Sequence, residues 1–122
     1  MEKQKSVEDY LESILMITKE NGSCRSIDVA RKLGFTKASV SIAVKKLSEE
    51  GYVIKEDKGN LVLTDAGLEY ASRVYERHEV LKSFLVNMGV SEKVAEEDAC
   101  EMEHIISEIT FQKIKEWNLK SA

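Results

Sequence analysis

The sequence of 122 residues contains no proline, only six glycines and only two cysteines. Because proline interrupts helices, its absence favours long helices. Two cysteines do not make the disulfide framework that is typical of small secreted domains. The longest wholly apolar run covers only residues 14–17, whereas a membrane span needs ~20 residues. The sequence does not open with charged residues followed by an apolar core, so we see no export signal. We therefore expect a cytoplasmic protein that does not enter a membrane.

Charge is distributed unevenly along a chain whose net charge is −4. Residues 1–62 carry 11 basic and 10 acidic side chains, whereas residues 63–122 carry 7 and 12. Residues 21–48 hold six basic residues and a single acid, Asp28. A basic segment joined to an acidic one predicts two modules with different tasks. We place them at residues 1–64 and 65–122.

Helical spacing, caps and turn residues predict the order of elements in the first module. The predicted helices run from the N-cap Ser6 to about Glu20, from about Ser26 to Leu33, and from the cap Thr36 to Gly51. Period-two segments at 52–55 and 61–63, separated by turn residues 57–60, predict a two-stranded hairpin. Two short helices joined by a turn and followed by a hairpin are typical of a winged helix-turn-helix.

The second helix of such a pair enters the major groove of DNA. The residues predicted to contact double-stranded DNA are Lys37, Ala38, Ser39, Ser41, Ile42, Lys45, Lys46 and, on the hairpin, Lys58. Lysines neutralise phosphates, whereas hydroxyls and small apolar groups reach base edges and thymine methyls. The alternatives are a solvated helix with ordinary lysines and a winged helix that contacts only protein.

The second module is predicted to be entirely helical. Thr64 caps a long helix to about Met88, Ser91 caps another from Glu92 to about Ile106, and Ser107 starts the last. In the middle helix, Cys100, Glu103 and His104 follow i, i+3, i+4 spacing and share one face. Thiolate, carboxylate and imidazole together form a transition-metal ligand set. The alternative is a solvated acidic face, because Glu96 and Glu97 lie on the same side.

Three more residues have both an ordinary and a functional interpretation. His78 falls on the apolar stripe of the long helix, where a lone histidine is more often a satisfied core residue. Asp9 and Glu12 lie away from the apolar stripe of the first helix, where solvent exposure is the ordinary expectation. Met16 shares that polar face, which indicates that something covers it.

Several stretches of the chain resemble the diphtheria-toxin-repressor and manganese-transport-regulator family of metal-dependent repressors. They are residues 6–12, 27–30, 38–41 with 44–47, 63–67, 77–79 and 100–104, and the likeness runs from about residue 6 to residue 110. The resemblance implies a mainly α fold, in which an N-terminal winged helix-turn-helix precedes an all-helical dimerisation and metal-binding domain. By position, it implies a primary metal site of Asp9, Cys100, Glu103 and His104. It also implies a second metal position at Glu12 and His78, with Glu103 shared.

The chain departs from both branches of that family at the metal positions. Manganese-type members have a carboxylate where Cys100 stands, and iron-type members have methionine where Asp9 stands. Lys82 occupies a position where iron-type members carry an ancillary glutamate. Because thiolate shifts preference away from Mn(II), we favour Fe(II) over Mn(II), with one or two ions per subunit and no organic cofactor.

These observations together predict a homodimeric, metal-activated repressor of operator DNA, regulating metal-uptake genes, and not an enzyme. The dimer is expected to use an apolar face formed by Ala95, Ala99, Met102, Ile106, Phe111, Ile114 and Trp117. One alternative is a metal-independent winged-helix regulator. Another is a hydrolytic metalloenzyme, for which the polar face offers no separate base or nucleophile.

Overall fold

A computed structural model describes residues 2–121 of the chain, and the side chains of residues 5–120. The elements are α1 (Glu2–Asn21), α2 (Ser26–Leu33), α3 (Lys37–Glu49), β1 (Val53–Lys55), β2 (Leu61–Leu63), α4 (Asp65–Asn87), α5 (Glu92–Met102) and α6 (Glu108–Ser121). The predicted fold class, a mainly α chain with a winged helix-turn-helix ahead of further helices, is confirmed. The chain divides within α4 into a first unit that ends at Ser72 and a second that begins at Arg73.

The first unit is built around the apolar faces of its three helices. Leu11 and Ile14 of α1, Val29 of α2 and Val40 of α3 are all fully buried. Gly34 ends α2 in the left-handed region at φ 72°, and the Thr36 hydroxyl caps α3 by accepting a hydrogen bond from the Ser39 amide. The sharp turn between α2 and α3 is therefore fixed by the residues from which it was predicted.

The hairpin forms the wing with the register Val53↔Leu63, Ile54↔Val62 and Lys55↔Leu61. Val53 and Leu61 are buried, whereas Ile54 is exposed. Cys24 ties the hairpin to the helices, because its amide donates to Asn60 Oδ1 and its carbonyl accepts from the Leu61 amide at 2.7 Å. Cys24 thus anchors the start of β2, where the hairpin turn ends, to the segment between α1 and α2.

Two predicted helix boundaries are wrong. Helix α1 begins at Glu2, so Ser6 lies inside it rather than capping it. The residues before Ser6 include strong helix formers and no breaker, so the helix extends past the possible cap. Helix α5 ends at Met102 rather than at about Ile106. Glu103 is therefore its C-cap residue, and His104 lies in the turn that follows.

The second unit packs α5 and α6 around the rest of α4. Its buried apolar residues include Leu81, Ala95, Ala99 and Phe111. Within one chain, other side chains already cover Ala95, Ala99 and Phe111. The prediction that these three residues belong to an exposed dimerisation face is therefore wrong. The large apolar side chains of the described part of this unit that stay exposed are Val86, Met88, Val94, Ile105, Ile109, Trp117 and Leu119. Within residues 2–121, no helix combines the length and apolarity that a membrane crossing requires.

Candidate metal centre and DNA-binding surface

In the second unit, helix α4 presents His78 to a group of acidic and sulfur ligands. The imidazole is 3 % exposed, and its Nδ1 lies 3.2 Å from Glu103 Oε2 and 3.8 Å from Cys100 Sγ. His104 Nε2 lies 3.4 Å from the other oxygen of Glu103. The structure thus brings four of the predicted ligands, His78, Cys100, Glu103 and His104, into one cluster.

The electrostatics of this cluster centre on His78. The Cys100 sulfur and the Glu103 carboxylate beside Nδ1 raise the pKa of His78 to about 11, although burial of the ring lowers it. Without a metal ion, the ring therefore carries a proton that partly offsets the charge of the carboxylates. A metal ion held by His78 would take the place of a ring proton, so metal and proton would compete for the imidazole.

The donor chemistry of the cluster fits a divalent transition metal. Glu103 is 2 % exposed, and its Oε1 has no hydrogen-bond partner among the side chains that the structure describes. A buried carboxylate oxygen left in this way is costly unless something positive satisfies it. Imidazole nitrogen, carboxylate oxygen and cysteine sulfur are all ligands that first-row metals accept. A bound ion would satisfy Glu103 and act as a positive centre that the surrounding residues hold.

The residue that sequence reasoning missed is Glu96. Both of its carboxylate oxygens lie 3.0 Å from His78 Nε2, and Oε2 lies 3.2 Å from Lys82 Nζ. Burial alone would raise the pKa of Glu96, but hydrogen bonds from His78 and Lys82 outweigh it and lower that pKa. Glu96 lies one turn before Cys100 on the same face of α5, and this i, i+4 spacing is the signal that points to it.

The remaining predicted ligands, Asp9 and Glu12, belong to α1 in the first unit. They are one helical turn apart, with Glu12 only 7 % exposed and Asp9 half-buried. The ordinary expectation that Glu12 is exposed to solvent is therefore wrong. That Asp9 and Glu12 bind metal stays a prediction, and it rests on the family resemblance.

Arg77 holds the turn that carries Glu103 and His104. Its guanidinium donates to the Ile106 carbonyl at 2.9 Å and to the Glu103 carbonyl at 3.3 Å. It also lies over the Phe111 ring, with Cζ 5.2 Å from the ring centroid. These contacts satisfy the carbonyl of Glu103, the C-cap residue at the end where a helix leaves acceptors unpaired, and the carbonyl of Ile106 beyond it. They also give a physical reason for the early end of that helix.

We therefore expect Arg77→Met to destabilise the protein. The methionine keeps an apolar stem near Phe111 but removes the donors to both carbonyls, and each charged hydrogen bond contributes ~1.5–3 kcal/mol. Urea unfolding of the metal-free protein should show a loss of about 3–6 kcal/mol for the two bonds together. The control Lys115→Met removes an exposed ion pair with Glu76, at 3.1 Å, between α6 and α4. It should cost about 0–1 kcal/mol, and equal losses in both variants would contradict this role for Arg77.

The DNA-binding surface predicted for the first unit is accessible. All eight residues assigned to it, Lys37, Ala38, Ser39, Ser41, Ile42, Lys45, Lys46 and Lys58, are exposed. Val40, Val44 and Leu47 occupy the opposite, buried face of α3. On the exposed face of α3, Ile42 is 72 % exposed, so an apolar side chain lies beside the lysines and serines. The helix thus presents both phosphate-binding and base-contacting chemistry to one partner.

Comparisons with known proteins agree for both units. Residues 4–61 match the family model described as the iron dependent repressor N-terminal DNA binding domain. Residues 64–118 match the iron dependent repressor metal binding and dimerisation domain. The chain is 38% identical over 109 residues to the HTH-type transcriptional regulator MntR of Bacillus subtilis, covering 89% of this chain and 77% of that protein. It is 37% identical over 112 residues to an uncharacterized HTH-type transcriptional regulator of Methanocaldococcus jannaschii, covering 90% of each.

Solved structures show the same likeness. The IdeR protein of T. acidophilum superposes with a TM-score of 0.81 at 26% identity over 89% of this chain. A manganese-dependent transcriptional repressor in complex with manganese superposes with a TM-score of 0.83 at 28% identity over 92% of this chain. This chain spans 52% of the length of each of those two proteins.

Proposed function

Because the chain belongs to the diphtheria-toxin-repressor and manganese-transport-regulator family of metal-dependent transcriptional repressors, we propose that it represses metal-uptake genes in the cytoplasm when its metal site is filled. The observation that carries the proposal is the buried carboxylate of Glu103. Its Oε1 has no hydrogen-bond partner among the described residues, and its two oxygens lie beside the two histidines, Oε1 near His104 and Oε2 near His78. Membership in a repressor family makes the metalloenzyme alternative wrong. The polar cluster also argues against a metal-independent regulator, because an inert face would not concentrate these ligands around a buried imidazole.

The proposed ligands come from both units of the chain. His78, Cys100, Glu103 and His104 are supported by their convergence in the second unit. Asp9 and Glu12 are added on the strength of the family resemblance. When bound, the ion supplies positive charge that holds these ligands together. Metal that binds the DNA-competent arrangement more tightly than other arrangements shifts the population toward it, and this is how we expect repression to be switched on.

The metal that activates the protein should depend on Cys100, and we favour Fe(II) over Mn(II). A thiolate adds more to Fe(II) binding than to Mn(II) binding, because Mn(II) is the lowest in the Irving–Williams order. We expect Cys100→Ser to lower the affinity for Fe(II) more than that for Mn(II), and Cys100→Glu to move activation toward Mn(II). Anaerobic titration calorimetry with each ion measures both. Cys24→Ala changes the other cysteine, buried in the first unit, and should leave the preference unaltered.

Two outcomes would contradict this assignment. If Cys100→Ser leaves both affinities unchanged, the thiol is not a ligand. If the wild type binds operator tightly with Mn(II) but fails to do so with anaerobic Fe(II), the preference for Fe(II) is wrong.

The exposed face of α3 is the proposed contact with operator DNA, and Lys58 adds a contact from the wing. We expect Lys45→Ala to weaken binding to specific and random DNA alike and to reduce the slope of log affinity against log salt by about 0.9. Ser41→Ala should weaken mainly the operator complex, because hydroxyls contact base edges. Lys93→Ala, an exposed lysine of α5, is the matched control and should change neither. Anisotropy titrations over a salt series test this division, and equal losses on both DNAs for Lys45 and Ser41 variants would refute it.

The protein is proposed to act as a homodimer through its second unit. Phe84, Ile109, Ile114 and Trp117 line a groove of about 310 Å³, and Ile109 and Trp117 are 76 % and 64 % exposed. Exposed apolar surface of this kind is a usual association site. Equilibrium sedimentation tests the proposal: a species of twice the 13.8 kDa chain mass supports it, and a monomer at micromolar concentration overturns it.

A further inference from the structure

Four side chains of the second unit form a continuous line of polar contacts. Lys82 Nζ lies 3.2 Å from Glu96 Oε2, and both oxygens of Glu96 lie 3.0 Å from His78 Nε2. On the other side of the ring, His78 Nδ1 lies 3.2 Å from Glu103 Oε2. The imidazole is therefore held between two carboxylates, one at each nitrogen.

The two carboxylates are not equivalent. The nitrogens of an imidazole point in divergent directions, so a metal ion bound at one of them does not face the ligands at the other. Cys100 and Glu103 gather at Nδ1, whereas only Glu96 among the described carboxylates contacts Nε2. A metal-ligating histidine usually donates its second ring N–H to a carboxylate, which fixes the tautomer and the ring orientation.

Lys82 argues further against Glu96 as a metal ligand. Its ammonium lies against the same Glu96 carboxylate and within 3.9 Å of Glu92 as well. A positive charge at this point repels a second cation, while it keeps the carboxylate ionised and ready to accept a proton donor. The Lys82–Glu96 pair is therefore suited to hold a histidine and is poorly suited to bind a metal ion directly.

We propose that Glu96 is a positioning residue that accepts the Nε2 hydrogen of His78 and so directs Nδ1 to the metal ion. The inference rests on the proposed function, because it requires a metal site at Cys100 and Glu103. It assigns a role to a residue whose side chain is 42 % exposed and which, by sequence alone, belongs to a solvated acidic face.

Co(II) binding by the full-length protein tests the inference, with Glu96→Ala, Glu96→Gln and the exposed neighbour Glu97→Ala compared with the wild type. We expect Glu96→Ala to weaken binding by about 10–100-fold in competition with a chromophoric chelator, which is the usual cost of losing such a partner. Glu96→Gln keeps an acceptor oxygen and should retain most of the affinity. Glu97→Ala should match the wild type.

Two spectroscopic readouts separate positioning from direct ligation and from a loss of stability. The thiolate-to-Co(II) absorption band should keep its position in Glu96→Ala, because the ligands are unchanged. Nitrogen NMR of the Zn(II)-loaded protein should show hydrogen on Nε2 of His78 in both proteins, but a hydrogen bond from that N–H to a carboxylate in the wild type alone. Unchanged affinity in Glu96→Ala, or an absorption spectrum that reports a lost ligand, would overturn the inference alone. Failure of the wild type to bind Co(II) would overturn the proposed function, and the inference with it.

Discussion

Replacing Glu103 with glutamine is expected to abolish metal-stimulated DNA binding. Glu103 contacts His78 through Oε2 and lies beside His104 through Oε1, so among the described residues it is a carboxylate that both histidines share. Because we propose Glu103 as a direct ligand, the drop in metal affinity should exceed the ~10–100-fold cost of substitutions outside the ligand shell. Glutamine keeps the size of the side chain and limits the cavity that alanine would leave. Metal affinity by calorimetry and DNA affinity by anisotropy give the two readouts.

The control for this prediction is Glu97→Gln, which makes the same chemical change on an exposed residue of α5. It should bind metal and DNA as the wild type does. A thermal unfolding curve of each metal-free variant shows whether Glu103→Gln remains folded. If folded Glu103→Gln still binds DNA more tightly with metal than without it, Glu103 is not part of the switch.

The largest effect on folding is expected for Gly67→Ala, in the first turn of α4. A Cβ at this position would meet the backbone carbonyl of Tyr52, with the carbonyl carbon at 3.0 Å. That backbone cannot move freely, because the Tyr52 carbonyl accepts from the Thr64 amide at 3.0 Å and the Thr64 hydroxyl donates to the Gly51 carbonyl at 2.6 Å. Overpacking typically costs ~1–3 kcal/mol, and we expect a loss at or above the upper end of that range.

Urea unfolding measures this loss, and Ala66→Ser is the matched control. Ala66 is exposed in the same turn of the helix, so serine there should change the free energy of unfolding by less than about 0.5 kcal/mol. A Gly67→Ala protein as stable as the wild type would show that the wing and α4 separate easily at Tyr52.

The parts of the fold that sequence predicted well are those that local chemistry determines. Helix α2 and the hairpin were recognisable because their turn residues and apolar periods indicate the same elements. The end of α5 was not recognisable from the sequence. The turn after it is held by Arg77, which comes from another helix and binds the carbonyls of Glu103 and Ile106. Nothing in the sequence of residues 92–106 indicates that contact.

The candidate site was predictable to the same degree. Cys100, Glu103 and His104 are neighbours in sequence, so they were predicted together, although α5 ends at Met102 and the turn that follows, rather than helical spacing, places His104. His78 and Glu96 come from different helices, and their contact at 3.0 Å depends on how α4 and α5 pack. The buried state of Ala95, Ala99 and Phe111 depends on the same packing, which is why an exposed dimer face of these residues was wrong.

The affinity of the protein for operator DNA with and without metal tests the central proposal most directly. A duplex selected from a random library, in parallel with and without metal, supplies the operator, and anisotropy titrations follow with chelator-treated protein alone and with Fe(II), Mn(II) or Zn(II). We expect an activating metal to tighten binding by about 5–150-fold, the usual range of coupling between two sites. The same operator affinity in chelator-treated and metal-loaded protein would contradict a metal-activated repressor.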